Sequence, residues 1–355
     1  MNRYLIWIII LLVVILRYIS YFSSSHQLQN GRLRISGTVK EEPGVFDNAQ
    51  QLKLQGYKIY VPLHPSVSYG DKVIVEGEAI DGVIKKGTLV SLEETANPLY
   101  SFRKRLLQFY SSTLPTNMAA LVAGCVIGSK QLLTSEFWDK LTATGTAHVV
   151  VASGMNVTII SKFILDLLVL FLPRRKAIPF TFLFVWLYAA LAGFGAPIIR
   201  ASVMGSLTFT AQEVGRIGSA LRAFVITSVG MLLFKPEWLW DISFLLTCTA
   251  TLSILLLQKP IDAKLKRVPE ILRNDFTTSL AASVGVSPIL WWNFGQFNIL
   301  SPLINALVLW TIAPITIIGG IGGIVGLVIP VLGKGLLYLI YPFAWWFTTV
   351  IGFFS

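Results

Sequence analysis

Charge is scarce in this chain. Asp, Glu, Lys and Arg make up 13% of its 355 residues against 54% hydrophobic ones, and the mean hydropathy is +0.68. From Phe276 to Gly333 there is not one Asp, Glu, Lys or Arg. At about 1.5 Å per residue, a single helix of that length would overshoot a hydrocarbon core of roughly 30 Å, so the stretch folds back inside a membrane. The same figures exclude disordered, collagen-like and small secreted classes. Cysteine is nearly absent, and Cys125 and Cys248 lie in apolar stretches where they read as packing residues. Histidine is limited to His26, His64 and His148, with no Cys-x-x-Cys and no His-Glu-x-x-His, so no zinc site is expected. Gly333-Lys334-Gly335 lacks the hydroxyl residue and leading glycine of a phosphate loop, so neither an ATP motor nor any cofactor is expected.

What is present falls into four segments. Tyr4 to Phe22 is apolar except for Arg17 and has no clear small-residue cleavage site, which makes 1–25 a retained transmembrane anchor. Residues 26–97 carry alternating segments at Arg32–Lys40, Lys58–Val61, Lys72–Glu78 and Leu89–Leu92, separated by turn signals at Glu41–Gly44, Pro62–Pro65 and Gly70-Asp71. About five short strands fit a small OB-like barrel, with a plain β-sandwich as the competitor. Residues 98–145 read as amphipathic interfacial helices, beginning with the basic and aromatic run Phe102–Tyr110. From 146 to 355, eight further spans are expected near 147–172, 177–195, 197–214, 219–234, 238–258, 277–294, 300–328 and 331–354. The fold class is therefore a polytopic α-helical membrane protein of about nine spans, with an all-β domain inserted after the first.

The chain carries a formal charge of +11, but the β segment is near neutral, so the basic excess sits in the membrane part. With a cytoplasmic N-terminus, alternate inner loops hold Arg174-Arg175-Lys176, Arg216 and Arg222, then Lys259, Lys264, Lys266, Arg267 and Arg273, then Lys334, while the outer loops hold little beyond Lys235. The positive-inside rule then places the β domain and the C-terminus outside.

Polar residues inside apolar stretches are costly and therefore informative. His148, Ser153, Gly154 and Asn156 form one such island; they read either as helix-packing glue or as a functional cluster. A serine hydrolase using Ser153 with His148 is a weaker reading, because no Gly-x-Ser-x-Gly elbow surrounds Ser153 and an i to i+5 pair on one helix diverges. Arg200 follows Gly193, Gly195 and Pro197 and reads either as an interface anchor or as a functional cation. Asp241 before Ile242-Ser243 is a natural N-cap. Asn293, Gln296, Asn298, Ser301 and Asn305 make a polar junction, and Gly319-Gly320-Ile321-Gly322-Gly323 with Gly326 reads as tight helix packing first and a hinge second.

In order, these islands resemble the ComEC family of competence proteins, bacterial inner-membrane channels for transforming DNA. Gly145-Thr146-Ala147-His148 running into Ser153-Gly154-Met155-Asn156-Val157 is similar to the family's Gly-x-x-His-x-x-x-x-Ser-Gly-Leu-His-Val signature. Pro197-Ile198-Ile199-Arg200-Ala201 resembles its Pro-x-x-Arg-Ala element, Asp241-Ile242-Ser243-Phe244 a third element, and Ser301-Pro302-Leu303-Ile304-Asn305 its Ser-Pro-x-x-Asn element. Asn156 stands where the family usually has a second histidine, and Leu245 and Thr247 replace Gln and Ser.

The resemblance implies a bacterial cytoplasmic-membrane channel passing single-stranded DNA in transformation. His148, Ser153, Gly154, Asn156, Arg200, Asp241, Ser243 and Asn305 would line the path, since a pore for a polyanion needs cations and hydrogen-bond donors. Lys53, Tyr57, Lys58 and Tyr60 would form a docking strip on the β domain, although its near-neutral charge supports a purely structural role almost as well. Expected partners are single-stranded DNA, the lipid bilayer and a cytoplasmic helicase-type motor. The nuclease domain common in relatives is absent from this stretch, so either strand degradation is expected of a separate nuclease, or the sequence is a fragment or a reduced member. A small-molecule or lipid transporter on the same scaffold is the alternative.

Overall fold

The computed structural model describes residues 15–20, 30–39, 42–46, 49–95, 97–151, 153–213, 220–265, 269–294 and 298–355. His26, Arg216, Lys266, Arg267, Gln296 and most of the 1–25 anchor lie outside the described residues. The chain forms two compact units. One comprises 27–156, 190–193 and 310–355, the other 1–26, 157–189 and 194–309.

In the first unit, alternation of inward and outward residues builds a single sheet. Its strands are β1 (Gly31–Thr38), β2 (Gly44–Phe46), β3 (Ala49–Leu54), β4 (Tyr57–Pro62), β5 (Lys72–Ile80), β6 (Val83–Ile84) and β7 (Thr88–Glu93). They run in the order β1-β5-β6-β4-β3-β2, with β7 also on β5, and the short β4–β6 pair is the parallel one. Ile35, Leu52, Ile59, Val75 and Ile84 fill one face. β3 escapes a simple hydrophobic alternation because Gln50 takes an inward position at 4% exposure. Its amide is satisfied by the turn that follows β4: Nε2 donates to Pro62 O (2.7 Å) and Pro65 O (2.8 Å), and Val67 N–H donates to Oε1 (2.9 Å). A buried amide with partners is tolerated where a bare one is not.

Asn97 caps the next helix, α1 (Pro98–Thr113), through a 3.0 Å bond from Leu99 N–H, with Pro98 at the first helical position. The expected surface helix differs from the observed one in two ways. Arg103 points inward at 4% exposure while Lys104 stays outside with Glu94 (2.8 Å). Then α2 (Thr116–Ile127) is buried from Met118 to Ile127, a core helix rather than an amphipathic one, and stops at Gly128 with φ 66°. The left-handed C-cap favours glycine. Helix α3 (Ser135–Ala143) follows, capped by Thr134.

Among the described residues, each of the eight spans expected after residue 146 falls mainly on helix, the first and the last in two pieces each. The helices are α4 (Ala147–Val150) and α5 (Gly154–Val169), α6 (Arg174–Leu191), α7 (Ala196–Glu213), α8 (Ala220–Phe234), α9 (Ile242–Lys264), α10 (Glu270–Phe294), α11 (Ser301–Val328), and α12 (Pro330–Tyr338) with α13 (Tyr341–Phe354). Among the described residues three stretches are long and apolar enough to cross a membrane: 147–169, Ile242–Lys264 and Ser301–Val328. The α12–α13 pair, bent by 47°, adds a fourth if it counts as one span.

Glycine governs the packing of the first unit. Tyr110 Oη donates to Gly319 O (3.0 Å), and a Cβ at Gly323 or Gly326 would collide with Tyr110 or Phe109, which fits the packing reading of this stripe. At Gly124 a Cβ would lie 2.3 Å from Val150 O, a backbone atom at the end of α4. In the second unit, α9 and α10 form an antiparallel hairpin. Gln258 Nε2 donates to Thr278 Oγ1 (2.7 Å), Arg273 pairs with Asp262 (2.9 Å), and Gly285 meets Ser253.

Gly124→Ala is therefore expected to destabilise the protein by about 1–3 kcal/mol, because a backbone carbonyl cannot rotate aside. Gly335→Ala, with open space around its Cβ, should be neutral or slightly stabilising. Unfolding midpoints of the two purified variants in mixed micelles measure the contrast.

Candidate functional site

In the first unit the polar island sits on a break rather than on one helix. Val151 is extended (ψ 142°), ending α4, and α5 restarts at Gly154. Ser153 occupies the N-cap position, its Oγ accepting a 3.4 Å bond from Asn156 N–H. That satisfies one of the helix's orphan donors. His148 is exposed on α4, with its imidazole bonded to the Gly145 backbone. Among the described residues no hydrogen bond joins His148 to Ser153. Asn156 is fully buried, and among the described residues neither side-chain amide atom has a hydrogen-bond partner.

The second unit holds the other polar residues. Arg200 lies in the first two turns of α7, behind Gly193 (φ 89°) and Phe194 (φ 52°). Its guanidinium donates to Thr247 Oγ1 from both Nε (3.0 Å) and Nη2 (2.6 Å), and Nη1 approaches Met204 Sδ at 3.8 Å. Among the described residues no carboxylate pairs with it. Thr247 is on α9, whose N-cap is Asp241, with Oδ1 accepting from Phe244 N–H at 2.9 Å. Asp241 thus has the structural role that its position suggests, and Ser243 beside it is exposed. Asn305 on α11 is 2% exposed; its Nδ2 donates to Ser279 Oγ (2.9 Å) on α10 and Ser301 Oγ (3.3 Å), while Oδ1 has no partner among the described residues.

On the β domain the four candidates separate. Lys53 and Lys58 are exposed and directly opposite across β3 and β4, and Tyr60 lies on the same face two residues on. Tyr57, one residue before Lys58, faces inward and packs in the sheet core. The period of two puts it on the wrong side for the strip.

Ser279 is a site residue that the sequence does not single out, and Thr247 stands out there only as replacing a family serine, not as the partner of Arg200. Single hydroxyls in apolar helices give no signal until a facing helix brings Arg200 or Asn305 against them. Among the described residues no group of three or more His, Cys, Asp or Glu could hold a metal ion.

The Asn305–Ser279 bond should register as a coupling. In a double-mutant cycle with Asn305→Ala and Ser279→Ala, the double variant should lose less stability than the two singles combined, by about 0.6–1.7 kcal/mol, the range for interhelical bonds in membranes. Unfolding in mixed micelles provides the four values; strict additivity would mean that the bond contributes nothing.

Comparison with known proteins places this arrangement. The chain is similar to ComE operon protein 3 of Bacillus subtilis (strain 168), at 28% identity over 209 residues, 58% of this chain and 26% of that protein. It is also similar to Recombination protein 2 of Haemophilus influenzae (strain ATCC 51907 / DSM 11121 / KW20 / Rd), at 28% identity over 184 residues, 49% of this chain and 23% of that one. The matched regions are about a quarter of the length of these relatives. No solved structure matches. The family model described as "Competence protein" matches residues 125–355, which takes in the helix break, Arg200 with Thr247, and Asn305. The chain belongs to the ComEC family of competence proteins.

Proposed function

We propose that this chain forms a path for single-stranded DNA across the bacterial cytoplasmic membrane in natural transformation. The observation that carries the reading is Arg200, a half-buried guanidinium in an apolar helix cluster, held by a threonine hydroxyl and a thioether with no carboxylate among the described residues to neutralise it. A cation in that position favours a passing anion, and the planar fork suits a phosphodiester. His148, Ser153, Gly154, Asn156 and Asn305 supply further polar groups in the same family-matched region, while Asp241 and Ser243 flank the start of the Thr247 helix. A helicase-type motor on the cytoplasmic side supplies direction.

The β domain reads as an OB-type barrel. Its strands run β1-β5-β6-β4-β3-β2 with β7 on β5, and β1 approaches β3, where Gln55 Nε2 donates to Ser36 O (2.9 Å) and a Cβ at Gly37 would lie 3.4 Å from Leu54. Lys53, Lys58 and Tyr60 are the surface that could dock a strand.

Nine spans are proposed from the helices above plus the N-terminal anchor, and the α9–α10 hairpin supports their orientation. Trp238, Trp240, Trp291 and Trp292 gather at one end, as in an interfacial aromatic belt, while Lys259, Asp262, Lys264 and Arg273 gather at the other. Trp240 Nε1 donates to Tyr18 Oη (2.7 Å) near the far end of the anchor. A cytoplasmic N-terminus then puts the tryptophan end outside and the basic end inside. In a background lacking Cys125 and Cys248, an impermeant maleimide should label Ser66→Cys in intact cells and leave Lys264→Cys unlabelled. The reverse pattern would overturn the orientation.

Transport is tested in proteoliposomes with labelled oligonucleotides. Single strands should enter in preference to duplexes, and Arg200→Lys should lower entry about 10–100-fold at normal protein levels, the equivalent of a charge-assisted bond of about 1.5–3 kcal/mol. Equal entry with Lys would make Arg200 an interface anchor. Brisk flux of a small solute without any DNA entry would favour the transporter alternative.

A further inference from the structure

The second guanidinium held inside the protein is Arg103, and its surroundings differ sharply from those of Arg200. Nη1 donates to Ile127 O (2.7 Å) and to Leu191 O. These carbonyls belong to the last residues of α2 and α6, where a helix leaves its carbonyls unpaired and its dipole gathers negative charge. Nη2 meets Glu42 Oε1 at 3.1 Å, and the guanidinium carbon lies 5.4 Å from the centre of the Tyr69 ring. Glu42, between β1 and β2, is itself held by Ser129 Oγ and by Lys130 N–H (2.6 Å) just past α2. Both partners of the ion pair are nearly closed off from solvent, at 5% and 11% side-chain exposure.

Leu191 is the informative contact. Residues 190–193, the last two residues of α6 and the first two of the turn to α7, cluster with the unit of the β domain although the chain on both sides belongs to the other unit. Tyr69 reaches the same turn: a Cβ at Gly193 would lie 3.7 Å from its ring. Ala196, three residues beyond Gly193, starts α7, the helix that carries Arg200. Burial together with Tyr100 pushes the Tyr69 hydroxyl up to about 12, so the ring stays neutral under Arg103 over the physiological range.

We propose that Arg103 is a positioning residue for residues 190–193, fixing this short segment against the β domain of the same unit through Glu42, the two helix-end carbonyls and Tyr69. A buried ion pair that only added stability could be replaced by apolar side chains with little loss. One that sets geometry cannot, because a methionine leaves Leu191 O without its donor. Lysine is no substitute either, since one ammonium cannot reproduce the planar fork that spans two carbonyls and a carboxylate. The importance of this placement for DNA rests on the reading of Arg200 given above; the placement itself is measurable without DNA.

The experiment is amide hydrogen exchange on the full chain in nanodiscs, comparing wild type with Arg103→Lys and with the apolar double variant Arg103→Met/Glu42→Leu. Exchange in peptides covering 190–193 should rise at least ten-fold in both variants, while β5 (Lys72–Ile80) stays within two-fold of wild type. Unchanged exchange at 190–193 would overturn the proposal. So would a rise of equal size in β5, which would mean that the node only stabilises the fold. Should Arg103→Lys fail to fold, the double variant decides alone, since it leaves no buried charge unpaired. Because no nucleic acid is present, a failure here is separate from a failure of the transport reading.

Discussion

A guanidinium taken out of water has to be met by acceptors around its plane, and the way in which Arg103 is met organises half of this chain. Its partners come from a strand connection, the ends of two helices and an aromatic ring, so one side chain draws together segments far apart in sequence. Removing one member of such a pair costs about 3–5 kcal/mol, because the other is left charged and buried. Arg200 offers the contrast. It has one hydroxyl and one sulfur as neighbours, an incomplete set for the same chemical group. Arg103 rests on two carbonyls and a carboxylate with its Nε left over among the described residues, whereas the neighbours of Arg200 are a hydroxyl and a thioether, both neutral.

The rest of the packing depends on close approach. Gly124 lets α2 abut the end of α4, Gly323 and Gly326 admit the aromatic side chains of α1, and Gly285 admits Ser253 between α9 and α10. In lipid there is little hydrophobic drive between helices, so such contacts and a few interhelical hydrogen bonds set how helices associate. The bonds from Asn305 to Ser279 and from Gln258 to Thr278 are of this kind.

Hydropathy and alternation made the helices and most strands legible, because both report burial on one face or on all faces. They were blind to three things. Phe102-Arg103-Lys104-Arg105 looks uniformly basic, yet helical geometry turns Arg103 inward and leaves Lys104 and Arg105 outside. Gln50 breaks the alternation of β3 because its partners lie on the turn after β4, out of reach of a local reading. The interruption after Val150 is carried by a serine cap, and Ser-Gly occurs in continuous helices as well. The polar islands themselves were readable, whereas their partners Thr247 and Ser279 depended on which helices face each other.

The antiparallel register of α9 and α10 has a consequence for burial in lipid. Taken alone, α9 would present the amide of Gln258 and the carboxylate of Asp262 unpaired, and α10 the hydroxyl of Thr278 and the guanidinium of Arg273. Side by side, the amide meets the hydroxyl and the two ions form one neutral dipole. Each helix therefore acts as the solvent of the other, and the hairpin is less costly to transfer into the bilayer than the sum of its halves.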